Sequence, residues 1–241
     1  ITSFGVGHFN DKRQINNYNW KDDALYKADI TSVFPTEYSE IWIGVFIGNY
    51  DIGGHIVNLD LNFYPAYGDD NQKAKKVMPI FSTVNILEMS SQSYSRLFNN
   101  DTLVIPFSIP EDMEDIQLHY TVTGHGGWGN GDEFNGRMNR ISLDGKTVFE
   151  LIPWRSDCGT YRLYNPSSGN FSNGISSSDL SRSNWCPAAY TPPYVIPLDD
   201  LHSGDHFMEV IIEQGEDEGD SFNSWQVSGI ITGYQPIIPN E

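Results

Sequence analysis

The stretch Thr123-Gly124-His125-Gly126-Gly127-Trp128-Gly129-Asn130-Gly131-Asp132-Glu133-Phe134-Asn135 sets an imidazole, an indole and two adjacent carboxylates among glycines. An indole can stack on the apolar face of a pyranose while carboxylates accept its hydroxyls. His125, Trp128, Asp132 and Glu133 are therefore candidate carbohydrate contacts. The competing reading is a flexible loop in which the glycines only supply left-handed turn positions. Gly124, Gly126 and Gly129 also match the G-x-G-x-x-G spacing. A dinucleotide fingerprint must open a helix in a βαβ unit, whereas here turn signals and then a strand follow, so a phosphate loop is set aside.

A second cluster, Ser178-Asp179-Leu180-Ser181-Arg182-Ser183-Asn184-Trp185-Cys186-Pro187, brings Arg182 and Trp185 beside a cysteine. Trp185 there either packs on a disulfide or meets a ligand. Ile152-Pro153-Trp154-Arg155-Ser156-Asp157-Cys158 repeats the aromatic and basic pairing next to the other cysteine. The two cysteines lack CxxC spacing and lie in a Gly/Ser/Asn-rich region, which favours a disulfide over a zinc site. Closing a loop of that length is worth about 3.5 kcal/mol on the chain-entropy model. A bridge would make the two Trp/Arg pairs converge, and it points to an exported, oxidising compartment.

Other constellations are weaker. His202 and His206 stand four apart, but Gly204 and the strand that follows argue against a helical metal face, and a surface turn is expected. No G-x-S-x-G elbow appears, so serine hydrolysis lacks its signature. The acidic run from Glu213 to Asp220 has no EF-hand pattern and reads as a solvated loop. No metal or cofactor is signalled.

The elements that must position these residues read as strands. Short apolar or alternating runs bounded by Gly, Pro, Asn and Asp cover Ile41 to Ile47, His55 to Tyr64, Lys76 to Phe81, Leu103 to Ile109, Ile116 to Thr123 and Met138 to Ser142. Four more cover Lys146 to Leu151, Tyr194 to Leu198, His206 to Glu213 and Trp225 to Thr232. Leu143-Asp144-Gly145-Lys146 is a two-residue hairpin signal. Helical periodicity is confined to a weak candidate from Ser90 to Phe98. An all-β protein of antiparallel sheets follows. The polar stretch around residues 66–75 is the expected interdomain linker, and the loop from Asp157 to Ser183 holds no convincing element.

Composition limits the partners. The 241 residues carry 14 Lys+Arg against 32 Asp+Glu, a net charge of −18, which argues against nucleic acid because phosphate binding rests on basic side chains. With 39% hydrophobic residues, 13% aromatics, 22 Gly and 13 Pro, this is a folded, turn-rich chain and not a disordered one. No apolar run approaches the roughly 18 residues of a spanning helix, and no basic segment followed by an apolar one opens the chain. Ile1 to Gly7 reads as the middle of a strand and turn, so a preceding segment is expected.

Together the two clusters resemble the bacterial peptide:N-glycosidase F family, amidases that release whole N-linked glycans from asparagine. The resemblance rests on a strand ending Thr-x-x-Gly, the glycine/aromatic turn, Glu133 followed by Phe134 and Arg137, and the strand through Ile141 to Phe149. It resumes with Cys158 and with Arg182, Trp185, Cys186 and Pro187 in the form Arg-x-x-Trp-Cys-Pro, and is strongest over residues 77–241. Upstream, Val77-Met78-Pro79-Ile80 and Val57 to Tyr64 are similar to the start of the family's second domain and the last strand of its first.

The resemblance implies two side-by-side antiparallel jelly rolls with the active site in the groove between them. Residues 1–64 would be the back part of the first, 65–77 a linker, and 78–241 the complete second, stapled by a Cys158–Cys186 disulfide. It makes Glu133 and Arg182 the catalytic pair, the carboxylate binding the first GlcNAc and ordering water, the guanidinium contacting the chitobiose core. His125, Trp128, Asp132, Phe134 and Trp185 would bind substrate, and Tyr50 would stand for a family tryptophan. N-linked glycans and glycopeptides would be the partners, and the protein would be secreted, periplasmic or at the cell surface. The family's Asp-Glu-Trp-Asp-Arg pattern, which carries its essential aspartate, has no counterpart here. On this reading roughly the first third of a longer protein precedes this chain. The alternative is a glycan-binding module that keeps the groove without catalysis.

Overall fold

A computed structural model describes residues 3–4, 21–47, 55–65, 73–83, 97–127, 129–165, 176–217 and 223–237. The strands in chain order are β1 (Ser3–Phe4), β2 (Lys73–Ser82), β3 (Leu103–Ile109), β4 (Glu114–His125), β5 (Asn139–Leu143), β6 (Lys146–Leu151), β7 (Tyr190–Thr191), β8 (Tyr194–Pro197), β9 (Gly204–Ile212) and β10 (Ser224–Pro236). One helical turn, α1 (Leu97–Asn100), falls at the end of the expected Ser90 to Phe98 helix, whose first part lies outside the described residues.

Eight of these strands form two antiparallel sheets, in the orders β2-β10-β4-β8 and β3-β9-β5-β6. Early strands pair with late ones in both sheets, β2 and β4 with β10 and β3 and β5 with β9, and of these strands only β5–β6 is a sequential hairpin; this wrapping is that of a jelly roll, two Greek keys closed on one core. Its strands follow the period-2 rule. On β4, Ile116, Leu118, Tyr120 and Val122 point into the core with Val227 and Ile231 of β10, and meet Ile141 of β5 and Met208, Val210 and Ile212 of β9. The alternate residues of β4, His119, Thr121 and Thr123, are also buried, so this sheet is covered on both faces; His119 Nε2 lies 3.0 Å from Thr232 Oγ1 across the outer one. Asp144 and Gly145 take φ values of 49° and 79° in the β5–β6 hairpin, as the sequence signal requires.

The second half of the chain therefore folds largely as its strand signals say, with strand ends moved by up to four residues, a short extra strand at β7, and two 3-10 turns, Cys158–Tyr164 and Ser177–Asp179, inside the loop read as holding no element. β2 already begins at Lys73, so the last residues of the expected 65–77 linker are strand, paired to β10 from Lys73↔Pro236 onward. The first half differs. Residues 41–47 and 55–65 alternate like strands but form none, and their side chains face solvent on both sides: Trp42 is 90% and Ile56 96% exposed. A lone strand leaves a full set of backbone donors and acceptors unpaired, so alternation without a neighbouring strand does not make a sheet. Among the described part of residues 1–64, only β1 pairs, with β7. The segment is tied to the jelly roll by Lys76 with Glu37 at 2.5 Å, by Lys75 Nζ donating to Thr31 O, and by Lys21 N donating to Leu163 O at 2.9 Å. No helix among the described residues is long and apolar enough to cross a membrane.

Two core substitutions separate packing from hydrogen bonding. Ile231→Ala removes a fully buried side chain and is expected to cost about 2–5 kcal/mol. Tyr120→Phe keeps the ring but strands Asn139 Oδ1, which the phenol reaches at 3.0 Å across the sandwich, and is expected to cost about 1–3 kcal/mol. Urea-unfolding midpoints of the two variants at constant slope would read both.

Candidate active site

β4 ends in Thr123, Gly124 and His125, and the glycine-rich loop that follows is built around a buried carboxylate. Asp132 has no exposed surface. Its Oδ1 accepts from Arg137 Nε at 2.6 Å, its Oδ2 from Trp225 Nε1 at 2.8 Å, and the Gly215 backbone N–H bonds to both oxygens at 3.2 and 3.0 Å. Asn223 Oδ1 accepts from the Asp132 N–H at 2.8 Å, and Asn135 Nδ2 donates to the carbonyls of Gly129 and Gly131. A substrate role for Asp132 does not fit this geometry, because its carboxylate is enclosed and already taken by donors. It is the anchor that holds its neighbour. The glycines here are needed for close approach: a Cβ on Gly215 would lie 2.2 Å from Arg137 Nη2, and one on Gly124 would lie 2.6 Å from the Trp225 ring.

Glu133 is the residue so placed. Its backbone carbonyl accepts from Ser183 N at 2.9 Å, and its side chain pairs with Arg182 Nη1. The segment carrying Arg182 threads between three partners. Arg182 exchanges both backbone hydrogen bonds with Arg155, Ser183 O accepts from Gly124 N at 3.0 Å, and Asn184, at φ 64°, donates from Nδ2 to Val122 O at 2.9 Å. Trp185 Nε1 then donates to Gly124 O at 3.0 Å. The Arg182 guanidinium lies 4.6 Å from the Trp185 ring centre and 5.1 Å from that of Phe134, within cation–π range of both. Its Nη2 donates to Ser177 O at 2.5 Å, while its Nε is buried without a partner among the described residues. His125 stacks against Trp185 with ring centres 5.1 Å apart, and Thr123 Oγ1 is 2.9 Å from its Nε2.

Burial sets the electrostatics. Desolvation pushes the Glu133 carboxyl up to about 7, against the opposing pull of Arg182 and of the Gly126 N–H. Arg182 is lowered by the same burial, with Glu133 opposing. Both members of the pair move toward their neutral forms, so the cost of removing them from water exceeds what they recover from each other. His125 is pushed down to about 4, first by burial and then by Arg182, and is a neutral imidazole at neutral pH. The site therefore holds a carboxyl that titrates near pH 7, a guanidinium with one unused donor, and aromatic walls.

Glu133, Arg182, His125, Phe134 and Trp185 come together, as the sequence motifs suggest. Trp128 and Tyr50 lie outside the described residues. Cys158 and Cys186 are joined and fully buried, with Cα atoms 5.1 Å apart. Trp185 faces Arg182 and His125 with its ring, while its carbonyl lies against the disulfide at Cys158 Sγ. Sequence reasoning did not single out Ser177, Ser183, Gly215, Asn223 or Trp225 as supports; only the carbonyls, N–H groups and side chains that folding brings together give them that role.

The loop and strand pattern matches known proteins. The family model described as Peptide-N-glycosidase F, C terminal, covers residues 93–232, and that described as Peptide-N-glycosidase F, N terminal, covers residues 1–63. The chain belongs to the peptide-N-glycosidase F family. One solved structure of PNGF-II matches with a TM-score of 0.79 and 43% identity, over 98% of this chain and 44% of that one. A second crystal form of PNGF-II matches with a TM-score of 0.80 and 42% identity, over 100% of this chain and 44% of that one. The chain thus spans less than half the length of these structures. Among curated proteins none matches. All of the converging residues, and both cysteines, fall inside the stretch matched by the family's C-terminal model.

Two measurements follow. Below pH about 4.5 folded and unfolded chains both hold the Glu133 proton; between there and about 7 the folded chain keeps it while the unfolded chain releases it. Stability contributed by this group is therefore full at the acid end and is lost as pH rises through 7, at up to about 1.4 kcal/mol per pH unit. Glu133→Gln removes that slope, which equilibrium unfolding from pH 4 to 8 detects. Replacing both Cys158 and Cys186 by Ser is expected to cost about 2–5 kcal/mol and lower the thermal midpoint.

Proposed function

We propose that this chain carries one wall of an N-glycan amidase site, at which water attacks the side-chain carbonyl of a glycosylated asparagine. The carbon–nitrogen bond to the sugar's amino group breaks, leaving aspartate in the peptide and a glycosylamine that decays to the free sugar. The observation that carries this reading is the buried Glu133–Arg182 pair held between Phe134 and Trp185. A carboxyl near pH 7 can both donate to and accept from a sugar hydroxyl or the N-acetyl group, and can fix a water beside it. The unused Arg182 Nε supplies a fixed donor in a water-poor setting, where such donors act most strongly. Phe134 and Trp185 would keep the guanidinium planar and flank the sugar, and His125 would serve as an uncharged part of the wall. Residues 1–64 would be part of a first jelly roll and residues from Lys73 onward the second. The closed disulfide agrees with export to an oxidising compartment.

A second reading rests on a specific observation. Among the described residues, Arg182 bonds one carboxylate, that of Glu133, and no second carboxylate completes the site. The carboxylate that activates the attacking water would then come from elsewhere in the groove, or the chain would bind N-glycans without cleaving them.

An N-glycopeptide incubated with the chain in heavy-oxygen water separates the two. Conversion of the glycosylated asparagine to labelled aspartate, reduced at least a hundredfold in Glu133→Gln, is the expected result for the amidase. An unchanged glycopeptide that nevertheless binds, with binding lost in Arg182→Ala, establishes the binding module and overturns the amidase for this chain. No turnover and no binding overturns both.

A further inference from the structure

The Trp154-Arg155 pair is the motif that the site above leaves unused. Arg155 shares the two-bond bridge with Arg182, but its guanidinium meets Asp157, Tyr190 and Tyr161 where that of Arg182 meets Glu133 and Ser177. There a pocket of about 380 Å³ opens between the N-terminal segment and the disulfide region, lined by Tyr26, Lys27, Arg155, Tyr161, Tyr190 and Pro192. That volume is within the usual range of small-molecule sites, roughly 300–1,000 Å³.

We propose that this pocket is a second carbohydrate subsite that holds a neutral pyranose. Its floor is fixed. The Arg155 guanidinium donates to Asp157 from Nε at 2.9 Å and Nη2 at 2.7 Å, to Tyr190 O from Nη1 at 2.7 Å, and to the Tyr161 hydroxyl at 3.3 Å. It also lies 5.6 Å from the Tyr161 ring centre. Tyr161 packs on the buried disulfide and Ala189, so the ring that forms one wall cannot swing away. Having accepted from Arg155, the Tyr161 oxygen still has its own proton to donate.

The chemistry selects a neutral ligand with one flat apolar face. Three phenol rings and a proline ring offer surfaces for the C–H face of a sugar, and the Tyr161 hydroxyl and the Lys27 ammonium offer polar ends. The buried charge is matched: Arg155 pairs with Asp157, and Asp29 lies close enough to act on Tyr190 from the Lys27 segment. Arg155 and Arg182 are directly opposed across one antiparallel bridge, with Cα atoms about 5.5 Å apart, so the backbone that carries one guanidinium also fixes the other. On the reading proposed above, the first site takes the core next to asparagine and this pocket takes a hexose further out.

The test uses the whole chain and two probes, methyl α-D-mannopyranoside and N,N′-diacetylchitobiose, each followed by ¹⁵N chemical-shift titration. The mannoside is expected to saturate a set of resonances that includes Tyr190 and Tyr161. Tyr190→Ala and Tyr26→Ala should each weaken it at least tenfold, while Arg182→Ala leaves it within twofold. Tyr26 lies on a segment with no strand, so its variant reports on the pocket even if Tyr190→Ala disturbs the disulfide region. No saturable mannoside response, or one lost in Arg182→Ala and kept in both tyrosine variants, overturns the subsite. Failure of the chitobiose titration alone would instead overturn the reading of the Glu133–Arg182 site and leave the second pocket standing.

Discussion

The enclosed carboxylate of Asp132 is the contact on which the rest of the site depends. A charge with no access to water is tolerated only where donors surround it, and here they come from three places: Arg137 in the same loop, Trp225 on β10, and the backbone at Gly215. The loop after β4 is thereby welded to the end of the neighbouring strand. Glu133, one residue on, inherits a fixed position without being consumed by that network. The two adjacent carboxylates, equivalent in a list of residues, take different partners: Asp132 is enclosed by donors and Glu133 pairs with Arg182.

From that anchor the remaining parts assemble by backbone bonding. The Arg182 segment is threaded between Gly124, Glu133 and Arg155 with main-chain bonds on both sides, and the disulfide at Cys186 fixes the chain a few residues later. Guanidinium, indole and phenyl ring then stack in a fixed order. Such an arrangement keeps an ion pair buried at a net cost, which the jelly-roll core offsets, and the cost is visible in the upward displacement of Glu133.

The two arginine-bearing clusters also show how one bridge serves two surfaces. Arg155 and Arg182 meet through their backbones, yet one guanidinium is matched by Asp157 and the other by Glu133. The shared strand pair makes the spacing between the two surfaces a fixed property of the fold.

What the sequence determined by itself was most of the second half of the fold and the convergence of Glu133, Arg182, His125, Phe134 and Trp185, though not the enclosure of Asp132. Period-2 runs, the Asp144-Gly145 turn and the lone cysteine pair are local or near-local signals, and each leads to the element seen. Arg-x-x-Trp-Cys and the Glu133 loop named the residues that converge. Tertiary structure alone decided the rest, because burial is not a local property. Whether Asp132 or Glu133 would face a ligand depended on where Trp225 and Gly215 came to lie, more than eighty residues away. Whether Trp185 served the disulfide or the site depended on the path of Arg182, and its ring went to the site. Residues 41–47 and 55–65 give the complementary case: their alternation is strand-like, but a strand exists only where another backbone lies alongside to accept its hydrogen bonds, and no periodicity within a segment can supply that neighbour.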